Sequence, residues 1–86
     1  MKNCKRIEFK KLAEKFLRSH PRKEQIRILS KIYKLPFGNH IKKMEGYDNR
    51  YRLRVGDIRV IYELHADGTT LVILVVEIGN RGDVYK

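Results

Sequence analysis

The chain is short of cysteine, of acidic side chains and of long apolar runs, and each shortage removes a class of protein. Cys4 is the only cysteine, so no internal disulfide can form, and the chain suits a reducing, cytoplasmic compartment. The longest apolar stretch, Leu71 to Val76, is far too short to cross a bilayer, and the opening MKNCKRIEFKK lacks the apolar segment of a secretory leader. A soluble protein with no membrane partner is expected. No glycine-rich phosphate loop precedes a helix. His20, His40 and His65 are scattered over three segments without ligand or triad spacing, which reads as three surface histidines. Neither a metal nor an organic cofactor is expected.

What is present is basic charge. With 86 residues the chain has room for one modest core, so residues 1–86 read as a single domain. It carries 20 Lys and Arg against 10 Asp and Glu, a formal net charge of +10. Such a chain repels itself, and a polyanion or an acidic protein is the partner that relieves this. Residues 1–49 hold 14 basic and 5 acidic side chains, whereas residues 50–86 hold 6 and 5. The first half has a broad basic field that a solvated helix surface also explains; the second has fewer charges, each at a defined place.

The periodicity gives an α+β fold. Lys5 to Phe9 suit a short strand, after which Phe9, Leu12, Ala13, Phe16 and Leu17 recur at helical spacing to about Ser19. Pro21 suits the first position of a second helix, with Glu24 in its first turn and Ile26, Leu29, Ile32 and Tyr33 as its apolar face. Pro36, Gly38 and Asn39 end that helix, and residues 36–49, carrying Lys42, Lys43, Glu45 and Gly46, read as a loop. From Arg50 the period becomes two: Tyr51, Leu53 and Val55 alternate with Arg50, Arg52 and Arg54. Gly56-Asp57 and Asp67-Gly68 are hairpin turns in this reading, so residues 50–78 form an antiparallel meander. Its last strand, LVILVV, is apolar throughout and belongs at the centre or under cover on both faces. The expected architecture is a short strand and a helical hairpin packed on a small antiparallel sheet.

The turn at Gly56-Asp57 pairs Arg54 with Arg59 and Arg52 with Ile61, which puts Arg52, Arg54 and Arg59 on one face and the apolar side chains on the other. Like charges directly opposed across strands are destabilising. Solubilising residues with splayed side chains would account for them; so would a phosphate cradle, because guanidinium forks match phosphate oxygens in pairs and keep their charge. Arg50 opposite Glu63 suits a cross-strand ion pair. Glu45, Asp48, Glu63 and Glu77 could each bring one carboxylate to the arginines, with ion pairing as the expected role. Arg81 and Tyr85 follow in the tail GNRGDVYK; with Val76 opposite Arg59, Arg81 would reach the cluster only if the chain curled back.

A helical hairpin, then MEGYDNRYRLRVGDIRVIY, an apolar strand and GNRGDVY, resembles the RelE/ParE superfamily of toxins from toxin–antitoxin systems, and the RelE branch in particular. The resemblance spans nearly the whole chain and is strongest from Met44 to Tyr85. It implies the RelE-like microbial RNase fold and a ribosome-dependent mRNA interferase that cuts the A-site codon without a metal. In that chemistry the RNA 2′-hydroxyl attacks the adjacent phosphate, leaving a 2′,3′-cyclic phosphate and a 5′-hydroxyl. Carried over by position, the resemblance assigns Arg52, Arg54, Arg59, Arg81 and Tyr85 to the catalytic site and leaves Lys42, Lys43 and Arg50 to hold RNA. The arginines suit stabilisation of a dianionic phosphorane, and Tyr85 could stack on a codon base. The best-known RelE toxins carry lysines at the positions of Arg52 and Arg54. An arginine does not give up its proton, so the general base stays unassigned. The implied partners are a small acidic antitoxin, in a hetero-oligomer with the toxin, and the ribosome with its mRNA. A ParE-like gyrase inhibitor and a catalytically inactive RNA- or antitoxin-binding homologue are the alternatives.

Overall fold

A computed structural model describes residues 4–80. Five strands and two helices follow in the order β1 (Cys4–Phe9), α1 (Lys11–Arg18), α2 (Arg22–Ile32), β2 (Ile41–Lys43), β3 (Arg50–Val55), β4 (Ile58–Asp67) and β5 (Thr70–Asn80). The sheet runs β1, β5, β4, β3, β2. β3, β4 and β5 form the expected meander, but β1 joins β5 in parallel. The sheet is therefore mixed rather than wholly antiparallel, and the crossover from β1 to its parallel neighbour contains both helices. β5 sits between β1 and β4, as its continuous apolar run requires: Ile73 and Val75 are fully buried in the helix-facing core, and Val72 is buried outside that core.

The helices bury one stripe each. Ala13 and Leu17 of α1 and Ile28 and Ile32 of α2, with Leu35 beyond it, meet Leu53, Val55, Ile58, Val60 and Tyr62 in a single core. The buried faces differ from the expected ones at their margins. Leu12, Ile26 and Tyr33 are exposed, at 77%, 59% and 56%, because α2 turns Ile28 inward and so places Ile26, two positions away, outside the buried arc. Lys5 from β1 donates to the carbonyl oxygens of Tyr33 and Leu35, so unsatisfied carbonyls at the end of α2 are tied to the sheet edge.

Two local irregularities set the register around the basic face. The β4–β5 turn is Gly68-Thr69, with Asp67 paired to Thr70, one residue later than Asp67-Gly68. Both hairpin turns place a glycine first, at φ +61 for Gly56 and +65 for Gly68, the backbone that glycine adopts without a Cβ penalty. A β-bulge then follows, since Tyr62 pairs with Val75 while Ile61 pairs with Glu77, leaving Val76 as the extra residue. Without the bulge, alternation would send Glu77 into the core after Ile73 and Val75. With it, Ile78 takes that place, 5% exposed, and Glu77 stays on the other face. Turn and bulge together move the partner of Arg59 from Val76 to Gly79.

β2 was not visible in the sequence. Three residues, Ile41-Lys42-Lys43, are too few for an alternation to register, and it is the free edge of β3 that makes them a strand, pairing Ile41 with Leu53, Lys42 with Arg52 and Lys43 with Tyr51.

Candidate active site

The β3–β4 hairpin has the register that its turn demands: Arg54 opposite Arg59, Arg52 opposite Ile61, Arg50 opposite Glu63 and Tyr51 opposite Tyr62. Since alternate residues share a face, the arginines all lie on the side away from the helices. Tyr51 and Tyr62 stack on the core side, with ring centroids 5.6 Å apart. Burial, with Tyr51 nearby, pushes the Tyr62 hydroxyl up to about 12, so it stays protonated and packs as a neutral ring.

Three of the predicted arginines line one cleft. It has a volume of about 450 Å³ and is walled by His40, Ile41, Lys42, Arg52, Arg54 and Arg59. Lys42 reaches it because β2 pairs it with Arg52. Lys43 pairs with Tyr51 and lines an adjoining cleft with Met44 and Glu45, which shares Lys42 and Arg52 with the first. Among the described residues, four cationic side chains and no carboxylate line the arginine cleft, so its field favours an anion.

Arg50 stands apart from this group. Its Nη2 lies 2.5 Å and its Nε 3.1 Å from Glu63 Oε2, and its guanidinium sits 4.4 Å from the centroid of the Tyr47 ring. Glu63 also accepts from His65 Nε2 at 2.9 Å if that nitrogen carries the proton. The hydrogen bonds from Arg50 and then His65 hold the Glu63 carboxyl below its ordinary range. Arg50 is thereby committed to the expected ion pair at the far end of the hairpin, and Glu63 rather than Glu45 or Asp48 is the carboxylate it uses. Glu77, brought to this face by the bulge, lies beside Ile61 and contributes weakly to the raised pKa of Arg50.

The histidines separate by environment. His20 packs on Phe16, ring centroids 4.4 Å apart, with Nδ1 2.9 Å from the Phe16 carbonyl oxygen. His65 serves Glu63. His40 was not expected at the site, yet it lines the arginine cleft, and Arg54 is its partner twice over: the Arg54 N–H donates to the His40 carbonyl at 3.0 Å, and Arg54 Nη2 lies 3.5 Å from His40 Nδ1. No sequence motif marks His40; the only local signal is its place between Gly38-Asn39 and β2. Arg81 and Tyr85 lie outside the described residues. Asn80, which precedes Arg81, pairs with Ile58 at the Arg59 end of the hairpin. Among the described residues no three His, Cys, Asp or Glu side chains gather as a metal-binding group, and no helix is long and apolar enough to cross a membrane.

No protein-family model and no curated protein matches the chain. Solved structures do. The archaeal RelE–RelB complex from Pyrococcus horikoshii OT3 is similar at 28% identity and TM-score 0.72, covering 94% of this chain and 98% of the other. The isolated RelE toxin of E. coli, 20% identical with a TM-score of 0.71 over 93% of this chain and 89% of its own, shares the fold. The RelB–RelE complex from Methanococcus jannaschii is 31% identical over 91% of this chain and 94% of that one, with a TM-score of 0.69. A hairpin of paired arginines on this five-stranded sheet, at that identity and over nearly the full length of both chains, makes this chain a member of the RelE family of toxins.

Proposed function

We propose that this toxin is a ribosome-dependent endoribonuclease that cleaves mRNA in the ribosomal A site and so stops translation. The single observation that carries the reading is the cleft that Arg52, Arg54 and Arg59 line with Lys42 and, among the described residues, no acidic side chain. In the proposed reaction the 2′-oxygen attacks the neighbouring phosphorus, a phosphorane with two negative charges develops, and the bond to the 5′-oxygen breaks. Guanidinium groups carried on adjacent strands and lining one cleft put permanent positive charge where that negative charge develops, and such electrostatic stabilisation is a large part of catalysis. Arg54 and Arg59, directly opposed, bracket a phosphate; Arg52 and Lys42, opposed on the next pair of strands, extend the track along the RNA backbone. Arg81 and Tyr85 are proposed as further members, Arg81 for the phosphate and Tyr85 for a codon base; Asn80, the residue before Arg81, pairs with Ile58 beside Arg59, which favours the first assignment.

The relatives from Pyrococcus and Methanococcus were solved in complex with RelB, and an acidic antitoxin covering the basic surface is the corresponding partner here. The solved structures named above contain RelE proteins, so the gyrase-binding alternative gains no support from them.

The test is a bacterial cell-free translation reaction with the purified protein, mapping mRNA ends by primer extension. Cuts inside A-site codons are expected only with ribosomes present. Arg59→Ala should lower the cleavage rate on the order of 100-fold, the usual effect of removing one transition-state donor. Intact mRNA in the presence of folded wild-type protein would refute the proposal.

A further inference from the structure

We propose that His40 is the group that takes the 2′-hydroxyl proton in this cleft. The inference rests on the ribonuclease reading and supplies the base which that reading lacks. The cleft is lined by three arginines, one lysine, one isoleucine and His40. Arginine does not release its proton, and an ordinary lysine is protonated at neutral pH. Among the described residues on these walls, imidazole is the one group whose ordinary exchange range spans neutrality.

The local structure holds the ring there. His40 has φ +64, a left-handed backbone uncommon for a residue with a Cβ and one in which histidine is over-represented. The carbonyl of His40 is fixed by the Arg54 N–H, and β2 starts at the next residue. Its Nδ1 faces Arg54 Nη2 at 3.5 Å. Arginine can only donate, so in the neutral ring Nδ1 meets it with a lone pair and Nε2 carries the hydrogen. When a phosphate draws the Arg54 guanidinium to its oxygens, that lone pair is left to accept a proton.

On its other side His40 lines a smaller cleft of about 140 Å³ with Lys31 and Lys34. The charged groups around it are thus Lys31 and Lys34 from α2 and the turn after it, Lys42 from β2, Arg52 and Arg54 from β3, and Arg59 from β4. All are cations, and among the described residues no carboxylate in either lining competes for the acceptor role. The step balances without a co-reactant: the 2′-oxygen bonds to phosphorus as its proton passes to His40. The 5′-oxygen leaves with its bonding pair and is protonated by water, and the imidazolium returns its proton to solvent.

The experiment is single-turnover cleavage of mRNA on programmed ribosomes from about pH 5.5 to 8.5, across the imidazole range, for wild type, His40→Asn and His40→Gln. Asn tolerates the left-handed backbone, so a defect shared by both variants belongs to the ring, and thermal melting checks their folding. The expected result is a rate lowered on the order of 10²- to 10⁴-fold, unchanged ribosome binding, and loss of the rise in rate with pH that wild type shows. Wild-type cleavage with the variants equally fast, or slower with the same pH profile, overturns the assignment of His40 and leaves the ribonuclease reading standing. Absence of cleavage by wild type overturns both.

Discussion

Arg54→Gln should make this protein more stable and less active at once. Arg54 and Arg59 are directly opposed across β3 and β4, a placement with backbones roughly 5 Å apart. Two unit charges at that spacing repel by about 3 kcal/mol at an effective dielectric of 20 and by about 0.8 kcal/mol in bulk water. Arg54 is exposed and its guanidinium is turned toward His40, so the water-like value is the better guide. The substitution should therefore stabilise the fold by about 0.5–1 kcal/mol, or roughly 2–8 °C in Tm for a chain of this size. Urea denaturation at low salt, repeated near 1 M where the Debye length is about 3 Å, is the assay, and the gain should largely vanish at high salt. Lys23→Gln on α2, outside the cleft, removes one charge from the same net field and is the control; it should gain less. A less stable Arg54→Gln, or a gain indifferent to salt, would show that the arginines are not held against mutual repulsion and would remove the physical argument for an anionic ligand between them.

The Glu63 carboxyl, held low by Arg50 and His65, contributes stability that is complete above its ordinary pKa and is lost as pH falls through the depressed one. Glu63→Gln should cost about 1–2 kcal/mol near neutrality, and acid titration of the folded state should show a gentler fall in stability for the variant than for wild type between about pH 5 and 2; parallel curves would contradict this. Gly56→Ala places a Cβ at φ +61 and 3.0 Å from Arg27 Nη1, so a loss of about 1–2 kcal/mol is expected in urea melts. Lys5→Met leaves the Tyr33 and Leu35 carbonyls without their donor and should lower stability by about 1 kcal/mol, read as faster amide exchange at the end of α2; unchanged exchange there would contradict the pin.

The α+β class, both helices and the β3–β4 register were legible in the residues alone. Each follows from local rules: 3.6-residue and two-residue periodicities, and a glycine-led turn that fixes which residues face one another. Arg52, Arg54 and Arg59 therefore share one face as a consequence of the turn alone. What the tertiary structure decided depends on partners distant in the chain. β1 pairs with β5 across 66 positions, and β2 is a strand only because β3 offers it an edge. The bulge at Val76 exists because the core accepts Ile78 and not Glu77. His40 is the clearest case: no spacing marks it, and it joins Arg54 because β2 folds back onto β3 and carries the preceding residue to the mouth of the cleft. Periodicity reports which way a side chain points relative to its own element; only the packing of elements, driven by burial of apolar surface and pairing of backbone groups, fixes what it meets there.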